Sequence, residues 1–212
     1  MSGALAVQTV GAARYRWLGR MPYVPTWQAM QRFTERRDEH SADEIWLLEH
    51  EPVFTLGMNA DRAHVLAPAD IPVVQIDRGG QVTYHGPGQL LIYALIDVRR
   101  AGLGIRGLVS ALEQAVIAYA ARWGIRAECC AQAPGVYVQG CKLASVGLRI
   151  RRRGSYHGVA LNVAMDLEPF GRINPCGFAG LRMTQLCELG GPSSVAQVAS
   201  EIEPELRARL TG

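Results

Sequence analysis

Arg78-Gly79-Gly80-Gln81-Val82-Thr83-Tyr84-His85-Gly86-Pro87-Gly88-Gln89 is the stretch on which the fold turns. Two apolar runs flank it, Ile71–Ile76 and Leu90–Val98. Both are rich in Val, Ile and Leu and too short for typical helices, so both are expected to be buried strands. A plain hairpin needs only about two to five connecting residues, so the stretch between them is longer than a turn requires. Its glycines let backbone lie close to a ligand, because no Cβ intervenes. Its polar side chains gather among those glycines: Arg78, Gln81, Thr83, Tyr84, His85 and Gln89. The competing reading is a long Gly-rich surface loop with an ordinary, satisfied histidine.

Working outward, Arg14–Arg20 alternates and is expected to pair as a first strand. Pro25–Glu39 reads as a helix, with Pro near its start and Trp27, Met30 and Phe33 on one side. Ile45–Glu49 and Val53–Leu56 read as short strands around Pro52, and Asn59–Asp70 as loop with at most a turn of helix. Ile105–Trp123 carries the clearest helical stripe: Ile105, Leu108, Val109, Leu112, Val116, Tyr119 and Trp123, stopped by Gly124. That stripe is read as core without a functional role. Strands are expected near Ile125–Cys129, Gly135–Gln139, Lys142–Ile150 and Ser155–Val163, the last two joined by a hairpin turn at Arg151-Arg152-Arg153-Gly154. Asp166–Gly177 reads as loop. Ser194 is placed to cap a last helix with Gln197 as its capping-box partner, and Pro204 to break that helix. Strands outnumber helices without alternating with them, so the class is α/β or α+β with a mixed sheet.

At 212 residues the chain suits a single domain, 1–212, with Met1–Ala13 as a poorly ordered leader. The net charge of +3 is too small to argue for a nucleic-acid partner. No apolar stretch approaches the ~20 residues of a membrane span. Five cysteines (Cys129, Cys130, Cys141, Cys176 and Cys187), an odd number without a signal peptide, suit reduced thiols in a cytoplasm. There is no CxxC pair and no His-x-x-x-His, so no metal site is expected.

Two residues stand out on composition and context. Of the 22 basic residues, 21 are arginine and one is lysine, Lys142. A lone lysine in such a chain points to something a guanidinium cannot do, namely give up a proton and take it back. The competing reading is one surface lysine left by chance. Cys176 lies between Pro175 and Gly177, so it sits in a turn, where thiols can be exposed and reactive, although on context alone an ordinary loop cysteine is the favoured reading. Cys129, Cys130, Cys141 and Cys187 read as small buried hydrophobes.

The quoted stretch resembles the signature of the lipoyl(octanoyl) transferases through Arg78-Gly79-Gly80, Thr83-Tyr84-His85 and Gly88-Gln89. Four more segments match that family in order: Glu49–Gly57, Gly140–Gly147, His157–Val163 and Ile173–Gly177. The resemblance implies the fold shared with biotin- and lipoate-protein ligases, a larger mixed sheet with helices on one side and a smaller sheet. It also implies transfer of an octanoyl group from octanoyl-acyl carrier protein to a lysine of lipoyl domains. The acceptors would be those of 2-oxoacid dehydrogenase complexes and the glycine cleavage H protein.

The resemblance implies that Cys176 accepts the acyl group and Lys142 is its proton partner. A free thiol titrates near 8.5 and a lysine near 10.4, so in water the proton would rest on the amine by roughly 2.6 kcal/mol. Burial penalises both charges and can turn the pair neutral. No metal, nucleotide or other cofactor is called for, because a thioester is already activated. By the same resemblance Arg78, Gly79, Gly80, Gln81, Val82, Thr83, Tyr84, His85, Ser145, Val146, Gly147, Gly158, Val159 and Ala160 line the acyl site. Two roles stay open for His85, bonding the thioester carbonyl or orienting Lys142. His157 and Asn162 are equally readable as strand residues with ordinary partners. Arg149 and Arg151–Arg153 are either a dock for an acidic carrier or a solvated hairpin tip. The rival assignments are an ATP-dependent lipoate or biotin ligase and a non-catalytic binding module.

Overall fold

The computed structural model describes residues 13–130 and 133–210. The leader expected at Met1–Ala13 lies, apart from Ala13, outside the described residues. The strands are β1 (Arg14–Met21), β2 (Glu44–His50), β3 (Val53–Leu56), β4 (Val73–Gln75), β5 (Val82–His85), β6 (Gln89–Leu95), β7 (Glu128–Cys129), β8 (Gly135–Val138), β9 (Cys141–Arg151) and β10 (Gly154–Asn162). The helices are α1 (Tyr23–Arg36), α2 (Ile105–Ala121), α3 (Val195–Glu201) and α4 (Glu203–Leu210).

Seven strands form one sheet in the order β1-β2-β6-β10-β9-β8-β7, and β4-β3-β5 form a second, smaller one. Both are mixed: β1 runs parallel to β2 and β4 parallel to β3, while the other pairs are antiparallel. Period-2 alternation gives the large sheet two apolar faces. Ile45, Leu47, Leu90, Ile92, Val159 and Leu161 pack beneath α2, α3 and α4. Trp46, Leu48, Leu91, Tyr93 and Ala160 pack with Met30 of α1 on the other side. The expectation of helices on one side is therefore corrected: α1 covers the opposite face. A strand buried along both faces, such as β6, has to be covered twice.

The Gly-rich stretch is not one loop. Its middle, Val82–His85, is β5, antiparallel to β3 with Thr55 opposite Thr83. Val82 and Tyr84 point into a satellite core with Phe54, Leu56, Met165, Phe170 and Ile173, while Thr83 and His85 face a cavity. The run Ile71–Ile76 yields only the three-residue edge strand β4, half-buried at Val73 and Val74 and exposed at Gln75.

The stripe on α2 is core in its middle only. Ile105 and Trp123 at its ends are 57% and 39% exposed. The Arg151–Gly154 hairpin forms as read, with Arg152 left-handed at φ 57°. The backbone N–H of Gln197 donates to the Ser194 side chain, and Pro204 falls where α3 gives way to α4. The Gln197 side chain turns to Glu201 rather than back to Ser194, so only half of the expected capping box forms. Asp166–Gly177 is loop with two short 3₁₀ turns, Glu168–Arg172 and Pro175–Gly177.

Candidate active site

A cavity of about 420 Å³ opens where β8 leaves the edge of β9. β8 pairs with β9 only as far as Ser145. Beyond it the chain of Arg78–Gly80 closes over the edge, and the Gly79 N–H donates to the Leu148 carbonyl at 3.0 Å. Gly147 eases this approach, since a Cβ there would stand a tight 3.2 Å from the Gly79 carbonyl oxygen. All the residues expected to line the acyl site do line this cavity, with one exception. Tyr84 does not. It stands on the other side of β5, its ring 5.4 Å from that of Phe54 and 5.5 Å from that of Phe170. Alternation along a strand sends neighbours to opposite faces, so Thr83 and His85 exclude Tyr84 from the cavity.

Lys142 and Cys176 meet at one end. Lys142 is completely buried at the start of β9, and its Nζ donates to the Cys176 Sγ at 3.0 Å. Residues 182–184 clamp its backbone: Lys142 N–H donates to Arg182 O, and Thr184 N–H to Lys142 O. The Tyr137 ring lies 5.3 Å from Nζ. Gly135, left-handed at φ 141°, leaves the slot for the lysine stem, because a Cβ there would come within 2.6 Å of Lys142 Cε. The Gly135 N–H is held by the buried Glu113 carboxylate at 2.7 Å. Cys176 occupies the Pro175–Gly177 turn with φ 57°, a conformation uncommon for a non-glycine residue. It is half-buried and lines the cavity. The other four thiols are not buried as expected: Cys129 is exposed and Cys130, Cys141 and Cys187 are half-buried. They sit near strand ends and turns, where neither sheet face closes over them.

Arg78 is a buried cation whose bonds go to neutral groups. Its guanidinium donates to Thr55 O, Thr55 Oγ1 and Gly79 O, and its buried Nε has no partner. Burial pulls its pKa down, and the nearby Tyr23 and Cys176 pull it partly back. The ring nitrogens of His85 turn to groups other than Lys142. Its Nδ1 bonds Gln89 Oε1 at 2.8 Å and its Nε2 lies 3.4 Å from Thr55 Oγ1.

The sequence reading passed over an imidazole–phenol cluster that forms part of the cavity wall. His50 Nδ1 bonds the Met21 carbonyl at 2.8 Å, so that nitrogen carries the proton and Nε2 accepts from the Tyr93 hydroxyl at 2.7 Å. Tyr23 stacks on His85 with ring centroids 5.7 Å apart. His157, left-handed at φ 61°, turns its Nε2 to Asp77 at 3.3 Å. Asp77 also accepts from Trp27, Gln31 and Tyr156. Tyr93 was the available signal, as the one polar-tipped side chain in the run Leu90–Ile96. Ile105, Val109 and Phe178 line the cavity too, so the helix given no function supplies part of its wall. Asn162 is an ordinary strand residue, bonded to Thr184 O and Gln89.

Three arginines of the basic cluster make contacts within their own chain. Arg151 pairs with Glu35 at 2.7 Å, Arg153 with Asp97 at 2.7 Å, and Arg152 bonds Glu35 O. Among the described residues no group of three or more His, Cys, Asp and Glu side chains is arranged for a metal ion. No helix among them is long and apolar enough to cross a membrane.

The buried imidazoles predict an acid-sensitive fold. Burial lowers His50 from 6.5 to about 4 and holds His85 and His157 below their usual value too. The unfolded chain takes up these protons near pH 6.5 while the fold resists them. Stability is therefore complete above about 6.5 and drains as pH falls toward about 4. At pH 5 the loss at His50 alone is on the order of 2 kcal/mol. Thermal melts between pH 7 and pH 5 should show Tm falling; a flat or rising Tm would refute the account.

Residues 22–207 match the family model described as lipoyl protein ligase A/B catalytic domain. The chain is 57% identical over 205 residues to an octanoyltransferase of Xylella fastidiosa, covering 96% of this chain and 90% of that one. It is 58% identical over 196 residues to an octanoyltransferase of Pseudomonas aeruginosa, covering 92% and 90%. Among solved structures, a putative lipoate protein ligase from T. acidophilum with bound lipoic acid superposes at TM-score 0.76 and 13% identity, over 94% of this chain and 86% of that one. Lipoate-protein ligase A bound with ATP follows at TM-score 0.60 and 13% identity, over 94% and 83%. At these identities the two structures speak to the fold alone. The match across nearly the whole chain, at more than half identity, shows that the protein belongs to the lipoyl protein ligase A/B catalytic domain family, and within it to the octanoyltransferases.

Proposed function

We propose that this chain, acting as one catalytic domain, moves an octanoyl group from octanoyl-acyl carrier protein to the lysine of a lipoyl domain through a thioester on Cys176. The observation that carries the reading is the 3.0 Å contact between Lys142 Nζ and Cys176 Sγ at the wall of a cavity. Lys142 takes the thiol proton as Cys176 attacks the donor thioester, and returns it to the leaving carrier thiol. The acyl chain lies along Val146, Gly147, Gly158, Val159 and Ala160, in a cavity of about 420 Å³. The acceptor amine then attacks the acyl-enzyme, Lys142 removes its proton and passes it to the departing Cys176 sulfur, and an amide replaces the thioester. Arg78 supplies a fixed positive charge within electrostatic reach of the sulfur. The acceptors are the lipoyl domains of 2-oxoacid dehydrogenase complexes and the glycine cleavage H protein, and the reaction is cytoplasmic.

Mixing the protein with octanoyl-carrier in the absence of ATP tests this directly. Intact mass should rise by one octanoyl group, the adduct should be labile to hydroxylamine, and it should discharge onto an added lipoyl domain. No adduct, with amide formation only when ATP is supplied, would instead support the ligase reading.

A further inference from the structure

The contact between Lys142 and Cys176 also has oxidative chemistry open to it. Cys176 is half-buried on the wall of a cavity that reaches solvent, so a small hydroperoxide can reach its sulfur. A thiol oxidised to sulfenic acid condenses with a nearby thiol or nitrogen. At Cys176 the side-chain nucleophile already in place is the Lys142 amine, 3.0 Å away. No other side chain hydrogen-bonds Cys176 among the described residues. The backbone nitrogens that follow it are committed to the turn: Gly177 N–H donates to Asn174 O and Phe178 N–H to Pro175 O, each at 3.0 Å. The amine is buried and fixed, with its stem in the slot over Gly135.

We propose that a hydroperoxide converts Cys176 and Lys142 into a sulfenamide, an S–N cross-link that closes the site reversibly. With its proton held by Lys142, the thiolate sulfur attacks one peroxide oxygen, the O–O bond breaks, and the leaving hydroxide takes that proton from Lys142 to become water. Sulfur is oxidised by two electrons to sulfenic acid and the peroxide is reduced. The neutral Nζ then attacks that sulfur. The S–N bond forms, the S–O bond breaks, and hydroxide leaves with an amine proton as a second water. An external thiol reverses the link by attacking sulfur, which frees the amine and leaves a mixed disulfide for a second thiol to reduce. The cross-link occupies both groups assigned to transfer and spares the sulfur further oxidation to irreversible acids.

The inference uses the same pair as the proposed transfer, and the test separates the two. The full-length protein, free of added thiol, is exposed to a small excess of hydrogen peroxide and mapped by peptide mass spectrometry. The expected product joins the Lys142 and Cys176 peptides and is lighter than their sum by two hydrogens. Dithiothreitol should abolish it and restore transfer. In Lys142→Gln, checked for folding by circular dichroism, the same dose should carry Cys176 to sulfinic and sulfonic acid that dithiothreitol does not reverse. Wild-type Cys176 reaching those acids as readily as the variant would overturn the proposal. So would a disulfide from Cys176 to another cysteine, or a Lys142–Cys176 link carrying an extra oxygen. The octanoyl adduct is measured in parallel on unoxidised protein. An adduct without the cross-link sinks only this inference, and a cross-link without the adduct sinks only the transfer reading.

Discussion

Replacing Cys176 with alanine is expected to abolish octanoyl transfer, with a loss of roughly 10⁴-fold or more, the scale seen when a covalent nucleophile is removed. The residue sits in a short turn whose conformation does not depend on the thiol. The Gly177 and Phe178 N–H groups hold the turn to Asn174 and Pro175. Alanine tolerates the left-handed φ of 57° about as poorly as cysteine does, so the fold should survive. What is lost is the sulfur 3.0 Å from Lys142 Nζ. Alanine at Cys129, Cys130, Cys141 or Cys187 should leave transfer largely intact, because none of these thiols lines the cavity. Single-turnover transfer to a lipoyl domain, with intact mass to detect the acyl-enzyme, measures both halves of this expectation. A Cys176→Ala enzyme that still transfers, alongside an inactive but folded variant at another cysteine, would show the nucleophile misassigned.

Lys142→Arg should lose about 10² to 10⁴ in the single-turnover rate, the range of general acid–base help. Charge is kept, but a guanidinium does not deprotonate at working pH and cannot accept the proton of the attacking thiol or amine. Arginine is also bulkier at its head, and the slot is closed by Gly135 and faced by the Tyr137 ring. Lys142→Met separates these effects, since its side chain is similar in length, slimmer and uncharged. It should be as inactive as the arginine variant while melting close to the wild type. An arginine variant that retained more than about a tenth of the wild-type rate would remove Lys142 as the proton acceptor. Cys176 would then need another base. His85, bonded to Gln89 and kept neutral by burial, is too committed to its own network to be the first choice. His157 lines the cavity with one ring nitrogen on Asp77 and is the better candidate.

Much of this was legible in the chain because it rests on short-range physics. The stripe Leu108, Leu112, Val116 and Tyr119 makes a helix wherever it is placed, since the 3.6-residue period is local. The hairpin at Arg151–Gly154, the Ser194 cap and the break at Pro204 follow from turn and capping chemistry within a few residues. Lys142 was singled out by composition, whereas Cys176, whose proline and glycine neighbours suit an ordinary loop cysteine as well, was singled out by the family resemblance. The family resemblance added the list of lining residues, and all of them except Tyr84 line the cavity.

What only the tertiary structure decided depends on partners distant in sequence. Val82–His85 looked like loop because glycines crowd it, and became a strand because β3, some 30 residues earlier, offers a ladder. That pairing then chose faces, turning Thr83 and His85 to the cavity and Tyr84 to Phe54 and Phe170. His50 and Tyr93 meet across 43 positions, and Lys142 and Cys176 across 34. Periodicity states that a residue has an inside and an outside. Strand order and register state what waits there, and they are set by burial summed over the whole sheet rather than by any local run.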